Sequence, residues 1–380
     1  MASMIRVLFV SRFFVSPHHR RFVRRLKQSG LVADIHIVVP TQWRQPGWVE
    51  TTRLESHEAD VTAIKCAFSG NGSLYLYDPM AMGRVLAAWR PDIVDVDEEP
   101  WSLAAWQCVR LAGRKSPSAQ IVFETSQNIL KRYPQPFRAI QRRTFERCKA
   151  AIAVSNSVQE VLRAQGYTGA IAVIGHPVDC DALSPGVTTG ASFVIGYVGV
   201  VSKRKGVFVL LDAYERMACD GTELLVVGTG DGMREAKSRV ALSSRLAGRV
   251  RFVGTVCADD VRDYLARMSV LVLPSLTTPR WKEQFGRVLI EAMAAGVPVV
   301  GSSSGGIPET VGAAGLITEE GDVQALYKAL KQLKGNEGIR NDMARRGRAR
   351  AVGAFSFDAV SSARAEFYRD TVANAGVSCG

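Results

Sequence analysis

Short apolar segments rich in Val and Ile alternate with helical stretches along the whole 380-residue chain. Most of them are continuously apolar rather than alternating with polar residues, which is typical of parallel strands covered on both faces. The predicted strands are residues 5–10, 34–39, 93–96, 121–123, 151–154, 171–174, 193–198, 224–227, 250–253, 270–273 and 297–300. Their βαβα order runs twice, so the sequence predicts an α/β fold of two Rossmann-like, doubly wound parallel-sheet domains.

The length of the chain also favours two domains, because one ordinary domain has roughly 100 to 200 residues. Residues 176–192 are rich in turn formers and precede a new strand, so the domain boundary is expected there. We expect a first domain at residues 1–185, a second at residues 186–354 and a C-terminal helical segment at residues 355–380.

The composition of 47% hydrophobic and 22% charged residues indicates a globular protein. No apolar run reaches the roughly 18 residues of a membrane span, and the first ten residues lack a signal-peptide pattern. Seven scattered cysteines without a C-x-x-C pair predict neither a disulfide framework nor a zinc site. We therefore expect a cytoplasmic protein.

The net charge of +12 is concentrated in two basic segments of the first half, residues 18–27 and 131–149. We interpret both as helices in which arginines are mixed with apolar residues. Such helices either lie peripherally on an anionic membrane at its inner face, or present a solvated basic face while their apolar side enters the core. The chain contains no recognised nucleic-acid module, so no nucleic-acid partner is expected.

One segment, residues 281–309 (WKEQFGRVLIEAMAAGVPVVGSSSGGIPE), carries the strongest functional pattern. Glu283 lies on a predicted loop, a short helix begins at about Gly286, Glu291 follows on that helix, and Gly296 ends it. The start of a helix offers unpaired N–H groups and a positive dipole end to a phosphate. The two flanking acids, Glu283 and Glu291, can accept hydrogen bonds from hydroxyl groups of the same ligand. The segment predicts a pocket for a phosphorylated, hydroxyl-rich ligand such as a sugar nucleotide.

This segment resembles the two-glutamate signature of the retaining glycosyltransferases of family 4, through the seven residues between Glu283 and Glu291, EQFG and the later GGIPE. The resemblance implies a GT-B fold, in which two Rossmann-like domains face each other across a cleft and a C-terminal helix crosses back to the first domain. It also implies a metal-independent transfer of a hexose from a nucleotide diphosphate sugar, without a cofactor. The acceptor would be the hydroxyl of a saccharide, a lipid-linked saccharide or a small molecule.

The resemblance assigns roles to residues of the second half. It implies that Glu283 is a sugar-binding or catalytic residue, that Phe285 and Gly286 donate backbone N–H groups, and that Glu291 binds the ribose. Lys205, with Arg204, would neutralise the departing diphosphate. Relatives usually have an arginine directly after the first glycine of this loop, where this chain has Val200, so either Lys203 or Arg204 substitutes for it or one phosphate contact is missing. Further donor contacts are implied at Gly199, Gly228, Gly230, Val253 and Ser275.

In the first half the family pattern is weaker. Relatives often have a histidine where this chain reads FETSQN, so Gln127 or Asn128 would replace it on the acceptor side. His18 and His19 either contact the acceptor or form an ordinary exposed pair.

Four acids lie within DVDEEPW, residues 95–101. Glu98 and Glu99 either face the acceptor or bind local arginines. Asp95-x-Asp97 matches the metal-binding pair of the other large glycosyltransferase fold. Because the rest of the chain does not resemble that fold, no metal is expected.

Three alternative functions remain at this point. An NAD-dependent oxidoreductase would use GTGDG (residues 228–232) as its dinucleotide loop, but the acid expected at the end of the next strand is absent. The other two are a nucleotide-sugar epimerase of the same fold and an inactive nucleotide-sugar-binding protein.

Overall fold

The computed structural model describes residues 5–45, 48–54, 58, 60–183 and 192–377, and it divides into two compact units. Unit 1 comprises Met1–Gly175 and Phe357–Gly380, and unit 2 comprises His176–Ser356. The boundary expected between residues 185 and 186 lies outside the described residues. The C-terminal helix is part of unit 1.

The strands are β1 (Arg6–Val10), β2 (Asp34–Pro40), β3 (Gln42–Gln45), β4 (Trp48–Thr51), β5 (Val61–Ile64), β6 (Cys66–Ala67), β7 (Leu76–Tyr77), β8 (Ile93–Val96), β9 (Gln120–Thr125), β10 (Ala150–Ala153), β11 (Ala170–Val173), β12 (Phe193–Val198), β13 (Thr222–Val227), β14 (Val250–Gly254), β15 (Val270–Leu273), β16 (Val299–Ser302) and β17 (Leu316–Thr318). The α-helices are α1 (Pro17–Gln28), α2 (Pro79–Trp89), α3 (Leu103–Lys115), α4 (Phe137–Arg147), α5 (Asn156–Ala164), α6 (Val207–Met217), α7 (Met233–Leu242), α8 (Val261–Leu265), α9 (Arg287–Ala294), α10 (Ile307–Val311), α11 (Val323–Gly335), α12 (Glu337–Phe355) and α13 (Phe357–Val377).

Unit 1 is built on a seven-stranded parallel sheet in the order β11-β10-β9-β8-β1-β2-β5. Successive residues of β1 enter different cores. Leu8 and Val10 pack on the face with α2 and α3, whereas Val7 and Phe9 pack on the face with α1 and α13. The continuous apolar runs are therefore explained, since both faces of the sheet are covered.

Unit 2 is built on a six-stranded parallel sheet in the order β14-β13-β12-β15-β16-β17. Counted within the unit, this is the order 3-2-1-4-5-6 of the Rossmann fold. The prediction of two Rossmann-like parallel-sheet domains is confirmed. In each sheet the order reverses at one point, between β1 and β8 in unit 1 and between β12 and β15 in unit 2. Ligands of such folds bind at the carboxyl ends of the strands beside this switch point.

Several of the helices that cover the sheets begin at capping residues that are visible in the sequence. Asp78 accepts a hydrogen bond from the Ala81 N–H and precedes Pro79, the first residue of α2. Ser102 caps α3 in the same way by accepting from the Ala105 N–H. These caps satisfy N–H groups that a helix cannot pair internally.

Two predicted elements are corrected. The basic stretch 131–149 is helical only over Phe137–Arg147, because Pro134 and Pro136 lack N–H groups and restrict the residues before them. The strand expected at residues 297–300 lies at Val299–Ser302. Val297 is still hydrogen-bonded to the preceding helix, because its N–H donates to the Ala292 carbonyl at 2.8 Å. The strand therefore begins two residues later than expected.

The basic helix α1 has its apolar residues inside unit 1. Phe22, Val23 and Leu26 are buried in the core. Arg20 is also fully buried and donates from Nε to Glu58 at 2.7 Å. Of the two alternatives for residues 18–27, the structure therefore has the one in which the apolar side of the helix enters the core. No helix in the described part of the chain is long and apolar enough to cross a bilayer.

Candidate active site

A lysine, a serine and a nearly buried glutamate meet at the switch point of unit 2. Lys205 ends a single 3-10 turn after β12, while Ser275 and Glu283 lie in the loop after β15. Lys205 Nζ donates to Glu283 Oε2 at 2.7 Å, and Ser275 Oγ donates to the same oxygen at 2.8 Å. The neighbouring strands thus bring together two charges that are 78 residues apart in the sequence.

Glycines let the loops at this edge of the sheet pack backbone against backbone. Gly206 has φ +75°, and a Cβ there would lie 1.7 Å from the Pro274 carbonyl oxygen. A Cβ at Gly228 would lie 2.0 Å from the carbonyl oxygen of Gly199. These glycines are needed for the close approach of the loops, since any side chain would force them apart.

The expected donor contacts in these loops have different surroundings. A Cβ at Gly230 would lie 2.4 Å from the Val201 carbonyl oxygen, whereas Gly199 has no atom within 4 Å of its Cβ position. Val253 lies in the edge strand β14, whose Gly254 carbonyl accepts from the Gly228 N–H at 2.7 Å. The close packing of the loops explains why residues 228 and 230 are glycines. Of the three expected donor-contact glycines, Gly199 is the one with open space at its Cβ position.

Helix α9 begins after Gly286, close to the predicted start, and Gly286 has φ +80°. Phe285 is buried, and its carbonyl accepts from Thr310 Oγ1 at 2.6 Å. The Gly306 N–H donates to the Glu283 carbonyl at 2.9 Å, and a Cβ at Gly306 would lie 2.3 Å from the Gln284 carbonyl oxygen. The GGIPE segment therefore supports the EQFG loop ahead of α9, and in the first turn of that helix the Leu289 N–H donates to the Gly286 carbonyl at 2.8 Å.

Glu291 lies on α9 and pairs with Arg287, whose Nε is 3.1 Å from Glu291 Oε1. Burial raises the pKa of the Glu291 carboxyl above its ordinary value, and the Arg287 guanidinium opposes that shift. Among the described residues, no hydrogen bond joins Glu291 to the trio of Lys205, Ser275 and Glu283.

Sequence reasoning missed Trp281 and Arg287. The Arg204 guanidinium lies 5.0 Å from the centroid of the Trp281 ring, and Lys205 Nζ lies 5.1 Å from it. A tryptophan two residues before the first glutamate was the available signal, but its partners are in a distant loop. Arg287 was signalled by its spacing of four residues from Glu291, which suits an ion pair on one helix face.

The acids of unit 1 lie at its own switch point and are engaged locally. Glu98 is buried, pairs with Arg12 and accepts from the Tyr75 hydroxyl. Glu99 accepts from Thr125 Oγ1 at 2.7 Å and from the Ser126 N–H at 3.0 Å, and burial raises the pKa of its carboxyl. For Glu98, the structure has the local arginine that was one of the two expected alternatives.

The other acceptor-side candidates lie in nearby loops and in α1. Gln127 Nε2 donates to the Tyr133 hydroxyl at 3.4 Å, and Asn128 is buried. His19 Nδ1 lies 2.9 Å from the Phe13 carbonyl oxygen, and the His18 and His19 ring centroids are 5.7 Å apart.

The two acids of the Asp95-x-Asp97 pair have separate partners. Asp95 is buried and accepts from Arg364 Nη1 at 3.0 Å, and also from the Tyr368 hydroxyl. Asp97 accepts from Ser11 Oγ at 2.8 Å. Within the described ranges there is no group of three or more His, Cys, Asp or Glu residues suited to a metal ion.

Known proteins resemble both halves of the chain. Residues 15–182 match Glycosyltransferase Family 4, and residues 192–336 match Glycosyl transferases group 1. The lipopolysaccharide core biosynthesis glycosyltransferase LpsE of Rhizobium meliloti is 31% identical over 54% of this chain and 56% of its own length. The 2-deoxystreptamine N-acetyl-D-glucosaminyltransferase of Streptomyces fradiae is 28% identical over 63% of this chain and 62% of its own length. The chain thus spans little more than half the length of these relatives.

Solved structures share the fold over nearly the whole chain. A sucrose-phosphate synthase from Thermosynechococcus elongatus has a TM-score of 0.74 at 18% identity, covering 97% of this chain and all of its own. HepE of Anabaena, solved in complex with UDP and glucose, has a TM-score of 0.70 at 19% identity, covering 95% of this chain and 98% of its own. The two parallel-sheet units together with these likenesses establish the GT-B fold. Both sequence matches and the fold agree, and the chain belongs to the group 1 glycosyltransferases of family 4.

Proposed function

We propose that the protein transfers a hexose from a nucleotide diphosphate sugar to an acceptor hydroxyl with retention of configuration. The bond between the anomeric carbon and the β-phosphate oxygen breaks while the acceptor oxygen bonds to the same face of that carbon. The acceptor proton passes to the departing phosphate oxygen. The steps need positive charge at the diphosphate and a grip on the hexose hydroxyls.

The observation that carries the proposal is the meeting of Lys205 with Glu283 and Ser275 at the switch point of unit 2. Lys205 has the charge to stabilise the departing diphosphate, and the start of α9 offers the positive end of a helix dipole to an anion. Glu283 offers a carboxylate to hydroxyls of the hexose, and Glu291 to those of the ribose. Because lysine and helix amides supply the positive charge, we propose that no metal or cofactor takes part, and we expect EDTA to leave turnover unchanged.

The relatives support a nucleotide-sugar donor and several acceptor classes. The HepE structure contains UDP and glucose. The names of the relatives describe transfer in lipopolysaccharide core synthesis and to 2-deoxystreptamine. We propose a saccharide, a lipid-linked saccharide or a small molecule as the acceptor.

Thermal-shift screening against UDP-, GDP-, ADP- and dTDP-sugars tests the donor. A ligand at 100 times its Kd stabilises the folded state by about 2.7 kcal/mol, so the correct donor should raise Tm clearly. If no nucleotide sugar raises Tm, the proposal is wrong. Conversion of the donor sugar without an acceptor would indicate an epimerase. Binding of a nucleotide sugar without transfer or hydrolysis would indicate an inactive binding protein, and a response to NADH would indicate an oxidoreductase.

Glu283→Gln tests the role of the first glutamate. The variant keeps the shape of the side chain but loses its charge, so we expect turnover to fall roughly ten- to a hundredfold, as for loss of a hydrogen bond to a charged group. Circular dichroism should show an intact fold. Full retention of rate would remove Glu283 from the site.

Peripheral membrane contact through unit 1, at the inner face of the cytoplasmic membrane, is proposed for the basic surface of α4. Arg138, Arg142 and Arg143 are exposed there, whereas Ile140 of the same helix is buried. Cosedimentation with anionic vesicles, but not with phosphatidylcholine vesicles, would support this contact.

A further inference from the structure

The indole ring of Trp281 lies against both cations of the loop after β12. The Arg204 guanidinium is 5.0 Å from the ring centroid and Lys205 Nζ is 5.1 Å from it. These distances are within the range at which a cation is attracted to the face of an aromatic ring. One half-buried side chain therefore contacts two neighbouring positive groups.

The position of Trp281 is determined by its backbone. The Thr278 N–H donates to the Trp281 carbonyl at 2.7 Å, which closes a tight turn. Before this turn, Thr277 Oγ1 donates to Glu320 Oε1 at 2.6 Å, and the Leu276 N–H donates to the Arg204 carbonyl at 2.8 Å. The loop after β15 is thus bonded directly to the loop that carries the cations.

The charges around this ring are unbalanced. Lys205 is paired with Glu283. Among the described residues, no carboxylate lies within 4.0 Å of the Arg204 guanidinium, which is exposed. Two cations beside one ring repel each other unless an anion lies near them. A diphosphate has the charge to neutralise both cations.

We propose that Trp281 is a positioning residue that holds Arg204 and Lys205 together as a clamp for the diphosphate of the donor. This inference rests on the proposed transfer reaction. In this arrangement Arg204 takes the place of the arginine that relatives have after the first glycine of the loop. Trp281 acts through the two cations, so its effect depends on their presence.

Trp281→Leu, Trp281→Phe and a matched control, Tyr264→Leu, test this role. Tyr264 lies 5.7 Å from Arg267 in another cation–π pair of unit 2. With the donor found by the sugar panel, Trp281→Leu should lower kcat roughly ten- to thirtyfold, as expected for loss of a partly desolvated cation–π contact. Trp281→Phe should restore most of the rate, since phenylalanine keeps an aromatic face, and Tyr264→Leu should leave the rate unchanged.

A double variant separates positioning from general loss of structure. If Trp281 acts through the lysine, Lys205→Ala combined with Trp281→Leu should lose little more rate than Lys205→Ala alone. Titration of Trp281→Leu with UDP and with GDP should show weaker binding of whichever the wild type binds. Additive losses, equal rates for Trp281→Leu and the wild type, or no rescue by Trp281→Phe would overturn the inference. A wild type that neither binds nor uses any nucleotide sugar would instead overturn the proposed function, and this inference with it.

Discussion

In each unit a cation follows the first strand of the main parallel sheet, and a glutamate follows the fourth strand of that sheet, at the switch point. These strands are β1 and β8 in unit 1, and β12 and β15 in unit 2. In unit 1 the pair is Arg12 with Glu98, and in unit 2 it is Lys205 with Glu283. The surroundings differ. The two cations are equally exposed, with 20% of the Arg12 side chain and 21% of the Lys205 side chain accessible, but Glu98 has no exposed side-chain surface and also accepts from a tyrosine, whereas the Glu283 side chain is 9% exposed and also accepts from a serine.

This difference separates a structural pair from a pair that suits ligand binding. A buried glutamate that accepts hydrogen bonds from an arginine and a tyrosine uses its hydrogen-bonding capacity within the protein. Breaking this ion pair lowers the stability of the fold. Lys205 ends the turn before α6 and pairs with the less deeply buried glutamate, so its charge lies beside a helix start that suits an anion. The same position in the same fold thus carries two ion pairs whose glutamates differ in burial and in their further hydrogen-bond donors.

Arg364→Met is expected to have the largest effect, because it removes the cation between two buried carboxylates of unit 1. Arg364 Nη1 lies 3.0 Å from Asp95, and Nη2 lies 2.5 Å from Glu124. Leaving buried charges unpaired costs about 3–5 kcal/mol, which urea denaturation would measure. Arg369→Met, on the exposed face of the same helix, should change the stability little. An unchanged midpoint for Arg364→Met would contradict a structural role for the charges of unit 1.

Lys205→Ala should reduce activity without loss of fold. Removal of a preorganised donor to the departing group lowers kcat by roughly a hundred- to a thousandfold. Steady-state kinetics measure the loss, and Lys203→Ala, exposed in the same 3-10 turn, is the control expected to keep most activity. Equal rates for Lys205→Ala and the wild type would place the leaving-group charge elsewhere.

Glu98→Gln should affect stability rather than transfer. The variant leaves Arg12 without a charged partner in a mostly buried site, so the free energy of unfolding should fall by about 1–3 kcal/mol. Glu160→Gln, at an exposed position of α5, serves as the control. If stability stayed constant while the KM for the acceptor rose, Glu98 would be an acceptor residue and the contrast between the units would fail.

The smallest expected effect is a dependence of donor binding on pH through Glu291. Burial raises the pKa of this carboxyl, so it gains a proton at a higher pH than an ordinary glutamate as the solution is acidified. The protonated form accepts hydrogen bonds from ribose hydroxyls less well. The KM for the donor should therefore rise several-fold between about pH 7 and pH 5, with the dependence lost in Glu291→Gln. A wild-type profile identical to that of Glu291→Gln would exclude this role.

Much of the fold was predictable because its signals are local. The continuous apolar runs predicted the central strands, and residues 193–198 and 270–273 match β12 and β15 as observed. Strands β5 (VTAI) and β17 (LIT) were missed, since a threonine interrupts or ends each of these short apolar runs. The offset of β16 arose because the apolar residues of 297–300 include the end of the preceding helical turn.

The candidate site was predictable in part. The spacing of Glu283, Gly286 and Glu291 was readable within one segment, where a loop and a helix impose the order of the residues. The partner of Glu98 was not, because Arg12 lies 86 residues away and comes near only through the pairing of β1 with β8. Trp281 was missed for the same reason.

The sequence by itself determined the alternation of strands and helices, the loop glycines and the family signature, since these follow from periodicity and local backbone chemistry. The tertiary structure decided which charges meet and which stay accessible. Parallel strand order brings the ends of distant segments together, and burial then distinguishes the two glutamates, since the Glu98 side chain has no exposed surface and the Glu283 side chain is 9% exposed. Neither strand order nor burial is contained in the spacing of residues along the chain.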